Sequence, residues 1–349
     1  MLINKRKISE KDRPYIIAEL SANHGGDIER AKQSIQMAAK AGVSAIKLQT
    51  YTPDTMTIDS NLPDFRVDSG IWSGKKLFDL YTEAHTPFEW HEELFKHAKE
   101  HDITIFSTPF DESAVDLLES LNVPAYKIAS FEIVDIPLIK YIAKKNKPIF
   151  MSTGMASEDE IENAVKTVKE TTDAELLLFH CISSYPATTK ESNLNNLNWL
   201  KAKFDVPVGL SDHTINNIAS LTAIGMGAVA IEKHFKLDDN DCGPDSSFSL
   251  NIQQLEQLVN ECDQAWSSKG RFGLNRSKSE QKNMVFRRSL YFVKNIKKGE
   301  IITNKFVRRI RPGFGLDAKF YENVIGSKCL KSAKKGDRVT LNHFEIDLD

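Results

Sequence analysis

PIFMSTGMASEDEIENAVKTVKE, Pro148–Glu170, decides the fold of this chain, because it holds one complete strand and helix unit. Its first five residues, four apolar ones followed by Ser152, predict a buried strand. Ser157 then predicts a helix start, since a serine side chain caps free backbone N–H groups and the residues after it have helical spacing. The order strand, turn, helix recurs along most of the chain.

Eight apolar, β-branched runs alternate with helical segments in this way. They cover residues 15–20, 45–49, 103–107, 125–129, 148–152, 176–181, 206–210 and 228–234. Eight repeats of strand and helix predict a parallel sheet closed into a (β/α)8 TIM barrel, an α/β fold. A doubly wound open sheet is the alternative, but no GxGxxG motif follows the first strand.

Length and composition indicate a globular protein. Its 349 residues, 41% of them hydrophobic, are enough for one large core and a smaller module. No apolar run approaches the roughly 20 residues of a membrane span, and the first residues lack the apolar centre of a signal peptide. We therefore expect a cytoplasmic protein without membrane contact. The four scattered cysteines suit reduced, packed thiols, and we assign them no chemistry.

Charge divides the chain unevenly. Residues 285–349 hold 15 Lys and Arg against 7 Asp and Glu, a net charge of +8, so the rest carries −10 of the total of −2. We predict a barrel domain over 1–268, a polar linker over 269–284 and a small β-rich domain over 285–349. In that domain, IKKGEIIT (296–303) and AKKGDRVT (333–340) predict two strand-turn-strand units. Nucleic acid is not expected as a partner, since no recognised binding pattern is present.

A long insertion separates the second and third strands. It runs from about Tyr51 to residue 103 and carries several aromatic residues that need cover, among them Phe65, Trp72 and Tyr81. Insertions after a barrel strand usually shape the substrate mouth. We expect this one to do the same.

Polar side chains follow almost every predicted strand, at the end where TIM barrels place their active sites. Lys47 and Lys127 lie inside apolar strands, where a charge is rarely buried without a partner. Two such lysines among hydroxyls predict a site for phosphate or another compact anion. Other polar residues have simpler explanations: Ser152 is compatible with a turn, and Asp212 equally with capping a helix near Thr214.

His213 and His234 follow the seventh and eighth strands. Adjacent strand ends lie close together in a barrel, so both imidazoles could hold one divalent ion that keeps positions open for water and a substrate oxygen. The alternative is that they only pair with Asp212 and Glu232.

The motifs AELSANHGG, AIKLQTYTPDT, STPFD, YKIASFE, STGMAS, GLSDHT and IEKHF occur in this order and resemble the sialic acid synthase family. FRRSLYFVKNIKKGE and IRPGFGL resemble its C-terminal antifreeze-like (SAF) domain. The resemblance covers nearly the whole chain. Within the family, TYTPDTMTID, LYTEAHTPFEWH and DSSFSL are most similar to the branch that makes pseudaminic acid, with the neuraminate and legionaminate branches next.

The resemblance implies condensation of phosphoenolpyruvate with the open-chain aldehyde of an acylated amino sugar. It also implies a role for individual residues, and a domain-swapped homodimer in which Arg311 of one subunit reaches the sugar bound by the other. Glu19 would accept and donate protons during the reaction, while His213 and His234 would hold Mn2+ or Mg2+, with Co2+ as a further option. The sugar would meet Glu132, Tyr185, Asp245 and Arg311. Phosphoenolpyruvate would meet Lys47, Thr108, Lys127, Ser130, Ser152, Ser183 and Ser211.

The sequence departs from the family pattern at one position, and two other functions are alternatives to a synthase. Ser183 stands where sialic acid synthases tend to have asparagine, which disfavours the neuraminate branch. A phosphosugar aldolase on the same barrel would instead use Lys47 or Lys127 to form a Schiff base. A sugar-binding protein without turnover would need neither a metal nor so many polar strand ends.

Overall fold

The computed structural model describes residues 1–241, 243–274 and 276–345. Cys242, one of the four cysteines, lies outside the described residues. The chain divides into two compact units, residues 1–270 and residues 271 onward, and each is described by itself. The division falls two residues after the predicted end of the barrel domain.

The first unit is a closed barrel of eight parallel strands, which confirms the predicted TIM barrel. All eight predicted strands are present. Their order is β8-β1-β2-β3-β4-β5-β6-β7, so that the last strand closes on the first. The bounds are β1 Tyr15–Glu19, β2 Ala45–Thr50, β3 Thr104–Pro109, β4 Tyr126–Ile128, β5 Ile149–Ser152, β6 Leu176–Cys181, β7 Val208–Ser211 and β8 Ala230–His234.

Helices of the first unit alternate with these strands. They are α1 Ile28–Lys40, α2 Leu77–Ala84, α3 His91–Glu100, α4 Glu112–Ser120, α5 Ile136–Ala143, α6 Glu158–Thr171, α7 Asn195–Phe204, α8 Ile218–Gly225 and α9 Ile252–Ser268. Helix α6 begins as predicted, because the Ser157 side chain accepts from the backbone N–H of Glu160 and the Glu160 side chain accepts from Ser157 in return. Asp27 caps α1 in a similar way.

Large side chains fill the barrel interior. Phe150 lies in ring contact with Tyr15, Phe106 and Phe179, at centroid distances of 5.2 to 6.2 Å. Gly209 on β7 is required beside this group, since a Cβ there would lie only 2.7 Å from the Phe179 ring. The aromatic layer closes the barrel below the polar strand ends.

The insertion after β2 is ordered by short elements and by one buried histidine. It contains a helical turn at Pro53–Met56, the helix α2 and a 3-10 turn at Phe88–Trp90. His24, which follows β1, lies against it: the hydroxyl of Thr86 is 3.3 Å from His24 Nε2, and the Trp90 ring packs edge-on at 5.5 Å. The insertion is therefore fixed to the barrel at its far end.

The second unit contains a three-stranded antiparallel sheet in the order β10-β9-β11, with β9 Ser289–Phe292, β10 Val307–Ile310 and β11 Leu316–Asp317. The predicted strand-turn-strand units are wrong in part. Both turns are present, with Gly299 and Gly336 at positive φ, but only single bridges such as Ile296 with Ala333 flank them in the described residues. Turn residues signal a turn locally, whereas strand pairing depends on the partner segment.

The predicted linker is partly structured, since α10 covers Lys278–Lys282 and begins at the Ser277 cap. Three cysteines, Cys181, Cys262 and Cys329, are buried free thiols. Within the described ranges, no helix combines the length and apolar character needed to cross a membrane.

Candidate active site

Two buried lysines at the carboxyl end of the barrel are paired with glutamates. Lys47 on β2 places Nζ 2.7 Å from Oε2 of Glu19 and donates to the Thr108 hydroxyl at 3.2 Å. Lys127 on β4 donates to Oε2 of Glu232 at 2.8 Å. Glu232 also lies 3.8 Å from Lys47. We call Glu19, Lys47, Lys127 and Glu232 the inner charge cluster.

The inner charge cluster buries two lysines against two glutamates. Burial raises the pKa of Glu19 to about 7, although the Lys47 ammonium opposes this rise, and the charge of Glu232 adds to it. Burial also disfavours the charged form of Glu232, but Lys127 and Lys47 hold its pKa below the usual value. Burial likewise lowers the pKa of Lys127, although the charge of Glu232 opposes this shift. An anion bound between the two lysines would favour their charged forms and offset the cost of burying them.

Hydroxyl groups surround this cluster. The hydroxyls of Ser152 and Ser211 lie 3.0 Å apart. Two further hydroxyl-bearing side chains, Ser130 and Ser183, pack closely against Gly154. A Cβ added to this glycine would lie only 2.4 Å from Cβ of Ser130 and 2.5 Å from Oγ of Ser183. Each hydroxyl can rotate to donate to an anion. The structure thus brings together all seven residues expected to meet phosphoenolpyruvate: Lys47, Thr108, Lys127, Ser130, Ser152, Ser183 and Ser211.

His213 and His234 face each other with ring centroids 5.5 Å apart. Nδ1 of His213 lies 2.9 Å from the Ile182 carbonyl, which leaves Nε2 available as a ligand. Nδ1 of His234 is buried without a hydrogen-bond partner in the described ranges and lies 3.8 Å from a carboxylate oxygen of Asp245. The two histidines therefore lie together, as predicted from the strand order.

These donors fit a partly open divalent site. Nowhere in the described part of the chain do three His, Cys, Asp or Glu side chains converge as a complete metal site. Two imidazoles with one unpartnered nitrogen suit a divalent ion that takes its other ligands from water and substrate.

Neither histidine pairs with Asp212 or Glu232, so that alternative is wrong. Glu232 belongs to the inner charge cluster, and Asp212 points to the opposite side of the strand. Asp212 also caps no helix, because α8 begins at Ile218 with Asn217 as its cap. It accepts instead from the Thr214 backbone N–H at 2.8 Å.

Asp212 belongs to a second buried group on the outer side of the barrel strands. Lys233 donates to Asp212 at 2.8 Å, to the Thr214 carbonyl at 2.5 Å and to the Asn216 carbonyl at 3.0 Å. The Ser220 hydroxyl donates to the same carboxylate at 2.6 Å. We call Asp212, Thr214, Asn216, Ser220 and Lys233 the outer charge cluster. All three N–H groups of its lysine are satisfied by the protein.

A pocket of about 470 Å³ opens beside the two histidines. Its polar side is formed by strand ends and the loops after them, namely Ser21, Gln49, Glu132, Tyr185, His234 and Asp245. The Ser21 hydroxyl donates to Asp245 at 2.5 Å, and the Tyr185 ring lies 4.3 Å from that of His213. Burial raises the pKa of Glu132 to about 7. The three predicted sugar residues of the barrel, Glu132, Tyr185 and Asp245, therefore line one pocket.

Glu19 and Arg311 are the last two of the predicted site residues. Glu19 is buried within the inner charge cluster and also accepts from the Gln49 amide at 2.9 Å. Arg311 is an exposed residue of the second unit, directly after β10.

Several residues of the site were expected among the polar strand ends or the packed cysteines but were given no individual role. Glu232 is the most important of them, and its position two residues before His234 on one strand was the available signal, because residues two apart share a face. Ser21 and Gln49 follow the same rule at the ends of β1 and β2. Cys181 lies 3.9 Å from Nδ1 of His213, and no local pattern separated it from the packed cysteines.

Comparison with known proteins agrees with this geometry. The sequence profile of the NeuB family matches residues 34–273. A pseudaminic acid synthase from Campylobacter jejuni subsp. jejuni serotype O:2 is 44% identical over 95% of this chain and 96% of its own length. An N,N'-diacetyllegionaminic acid synthase from the same organism is 38% identical over 93% and 98%. The crystal structure of N-acetylneuraminic acid synthetase from Leptospira borgpetersenii serovar Hardjo-bovis, in complex with citrate, is 31% identical with a TM-score of 0.73, covering 81% of this chain and 94% of that one.

Proposed function

Since this chain belongs to the NeuB family, we propose that it is a pseudaminic acid synthase. It condenses phosphoenolpyruvate, 2,4-diacetamido-2,4,6-trideoxy-L-altrose and water to pseudaminic acid and phosphate. The observation that carries the proposal is the inner charge cluster, whose two buried lysines lie among hydroxyls beside a pocket of about 470 Å³. Such a site suits a small polyanion next to a larger, mostly uncharged molecule.

Phosphoenolpyruvate binds at the lysines. Its phosphate and carboxylate replace hydrogen bonds among the hydroxyls around the inner charge cluster, such as that between Ser152 and Ser211. The rotatable hydroxyls then donate to the substrate, and Lys47 and Lys127 neutralise its charge. Because these groups are already buried, little solvent has to reorganise during the reaction.

His213 and His234 hold the divalent metal, which we take to be Mn2+ or Mg2+, with Co2+ as a further option. When bound, the metal supplies Lewis acidity toward the aldehyde oxygen of the sugar. The carbonyl of Ile182 orients His213 from behind.

The chemistry breaks one C–O bond and forms one C–C bond. C3 of phosphoenolpyruvate attacks the sugar aldehyde, and water adds to the positive charge that develops at C2. Phosphate then leaves with its bridging oxygen, so the C2 carbonyl takes its oxygen from water. Of the two protons of that water, one ends on the former aldehyde oxygen, which becomes a hydroxyl, and the other leaves with phosphate. Glu19 lies beside Lys47 and would take up and pass on a proton of this water, since its pKa of about 7 suits a group that gains and loses a proton near neutral pH. Glu132, Tyr185 and Asp245 position the sugar.

The second unit is proposed to be an antifreeze-like (SAF) domain that closes over the acidic barrel of a partner subunit in a domain-swapped homodimer. The net charge of +8 over residues 285–349, against −10 in the rest of the chain, supports this arrangement. Arg311 would then contact the acylated sugar. We place the enzyme in the cytoplasm, where phosphoenolpyruvate is produced.

Phosphate release from phosphoenolpyruvate with Mn2+ tests the function. The altrose sugar, 2,4-diacetamido-2,4,6-trideoxy-mannose and N-acetylmannosamine are compared as acceptors. Turnover with the altrose sugar alone supports the proposal. Preference for a mannose-type sugar would assign the chain to the legionaminate or neuraminate branch, which the 38% identity to a legionaminate synthase keeps as the second candidate. Phosphate release without an acceptor, or none at all, contradicts all three.

Borohydride trapping separates a synthase from an aldolase. An aldolase that forms a Schiff base on Lys47 or Lys127 gains a reduced adduct with its carbonyl substrate. We expect no adduct here, since both ammonium groups are engaged by Glu19 and Glu232.

A further inference from the structure

The pocket beside the histidines has walls of two different kinds. Its polar wall comes from the strand ends that carry Ser21, Glu132 and Asp245. The other wall comes from the insertion after β2 and is mostly apolar, with the phenols of Tyr51 and Tyr81 at its sides. We call it the apolar wall: Met56, Val67, Trp72, Leu77, Leu80 and Ala84.

The apolar wall is fixed opposite the polar wall. The indole N–H of Trp72 donates to the Pro244 carbonyl at 3.0 Å, which joins the insertion to the loop that carries Asp245. The Trp72 ring also lies 5.6 Å from the ring of Tyr185. Leu80 is buried on the inner face of α2. A molecule bound between the walls therefore meets hydrogen-bonding groups on one side and hydrocarbon on the other.

Such a wall favours methyl groups over hydroxyl groups. A methyl group placed against it leaves water at a gain in free energy, whereas a hydroxyl loses its hydrogen bonds to water and finds no replacement among the six side chains of the apolar wall. A fully hydroxylated hexose has little to offer to this side of the pocket. An acceptor with a C6 methyl and two acetamido methyls presents three groups that match it.

We propose that the apolar wall is the specificity element of this enzyme and that it recognises the methyl substituents of the acceptor, above all the deoxy C6 position. This inference rests on the proposed function and extends it. The polar wall orients the reacting end of the sugar, while the insertion selects sugars that have lost a hydroxyl. The barrel thus supplies the groups that carry out the reaction, and the insertion determines which sugar is accepted.

Two nearly isosteric substitutions test the apolar wall without creating a cavity in it. Val67→Thr and Met56→Gln each add polarity while keeping the size and shape of the side chain. Ile58→Thr is the matched control, because Ile58 belongs to the same insertion but is exposed and does not line the pocket. The substrates are 2,4-diacetamido-2,4,6-trideoxy-L-altrose and its 6-hydroxy counterpart, 2,4-diacetamido-2,4-dideoxy-L-altrose.

The quantity measured is the ratio of kcat/KM for the two sugars. We expect the wild-type ratio to favour the 6-deoxy sugar and to fall by about tenfold in Val67→Thr and Met56→Gln, mainly through the KM of the sugar. Ile58→Thr keeps the wild-type ratio. The KM for phosphoenolpyruvate stays unchanged in all three variants, which shows that the barrel site is intact.

An unchanged ratio in both wall variants, with wild-type turnover of the 6-deoxy sugar, overturns the inference and leaves the proposed function standing. The proposed function fails by a different result, in which the wild-type chain uses neither altrose sugar. The two failures are therefore distinguishable in one set of assays.

Discussion

The inner and outer charge clusters each bury a lysine against a carboxylate, yet they differ in what they leave unsatisfied. In the outer cluster Lys233 has three protein acceptors, and the Asp212 carboxylate receives three donors. Charge and hydrogen bonds both balance. In the inner cluster burial raises the pKa of Glu19 to about 7 and lowers that of Lys127, and rotatable hydroxyls replace fixed carbonyls as neighbours. A buried lysine alone therefore says little about function, whereas two buried lysines among rotatable donors indicate an anion site.

The largest effect should come from breaking the balanced cluster. Lys233→Met leaves the Asp212 carboxylate buried without its cation, which should lower the free energy of unfolding by about 3 to 5 kcal/mol. Urea denaturation measures this change. Lys11→Met, on an exposed lysine, is the matched control and should stay within about 0.5 kcal/mol of wild type. A stable Lys233→Met chain would remove the structural assignment of the outer cluster.

The corresponding change in the inner cluster should affect activity first. Lys127→Met removes one of two cations from the anion site, and kcat/KM for phosphoenolpyruvate should fall by about 10² to 10³-fold. The loss of stability should be smaller than in Lys233→Met, since Glu232 keeps Lys47 nearby. Steady-state phosphate release and urea denaturation of the same preparation provide both numbers. If Lys127→Met and Lys233→Met lowered the free energy of unfolding equally, and Lys127→Met kept the wild-type kcat/KM, the two clusters would not differ in role.

Metal binding sharpens the comparison further, because His234 lies next to Lys233 on β8 but faces the inner side. We expect about one Mn2+ per chain in equilibrium dialysis and loss of turnover after chelation, restored by Mn2+. His234→Ala should weaken Mn2+ binding at least about 10 to 100-fold, the cost found even for partners behind a ligand. Lys233→Arg, which keeps the outer charge, is the control and should bind Mn2+ as wild type does. Equal Mn2+ binding by His234→Ala would remove this histidine from the metal site.

The smallest effect concerns His24, a buried histidine of the fold outside both clusters. Burial lowers its pKa to about 4, with the charges of His85 and His91 adding to the shift. The unfolded chain holds the proton more tightly, so the stabilisation is complete above about pH 6.5 and is lost as the pH falls toward 4. Its share is about 1 kcal/mol between pH 7 and 5.5. Urea titrations at the two pH values measure it, and His24→Gln should flatten the slope by that amount. An equal slope in wild type and variant would contradict it.

Sequence alone predicted the barrel because its signals are local and repeated. Eight apolar runs, the Ser157 cap and the lysines set in strands 45–50 and 126–128 each follow from neighbouring residues. The closing of the sheet then brings the strand ends together without further information.

The remaining contacts depend on tertiary structure. Asp212 was expected to cap a helix or pair with a histidine, but the turn after β7 runs to Ile218 before α8 begins, and Lys233 takes the carboxylate. Alternation along a strand could have shown that Lys233 points away from Glu232 and His234. Nothing local indicates that Gly154 lies between Ser130 and Ser183, since those residues are distant in sequence.

The alternation along β8 also limits how this sequence can diverge over evolution. Glu232 and His234 face the inner side of the barrel, toward the inner charge cluster and the pocket respectively, while Lys233 between them lies in the outer charge cluster. Descendants of this gene can exchange side chains at these positions one at a time. Insertion or deletion of a single codon within β8 is different, because it would turn the ligand outward and the structural lysine inward together. Length changes should therefore accumulate in the loops and the insertion, where new acceptor preferences can arise while the reaction is retained.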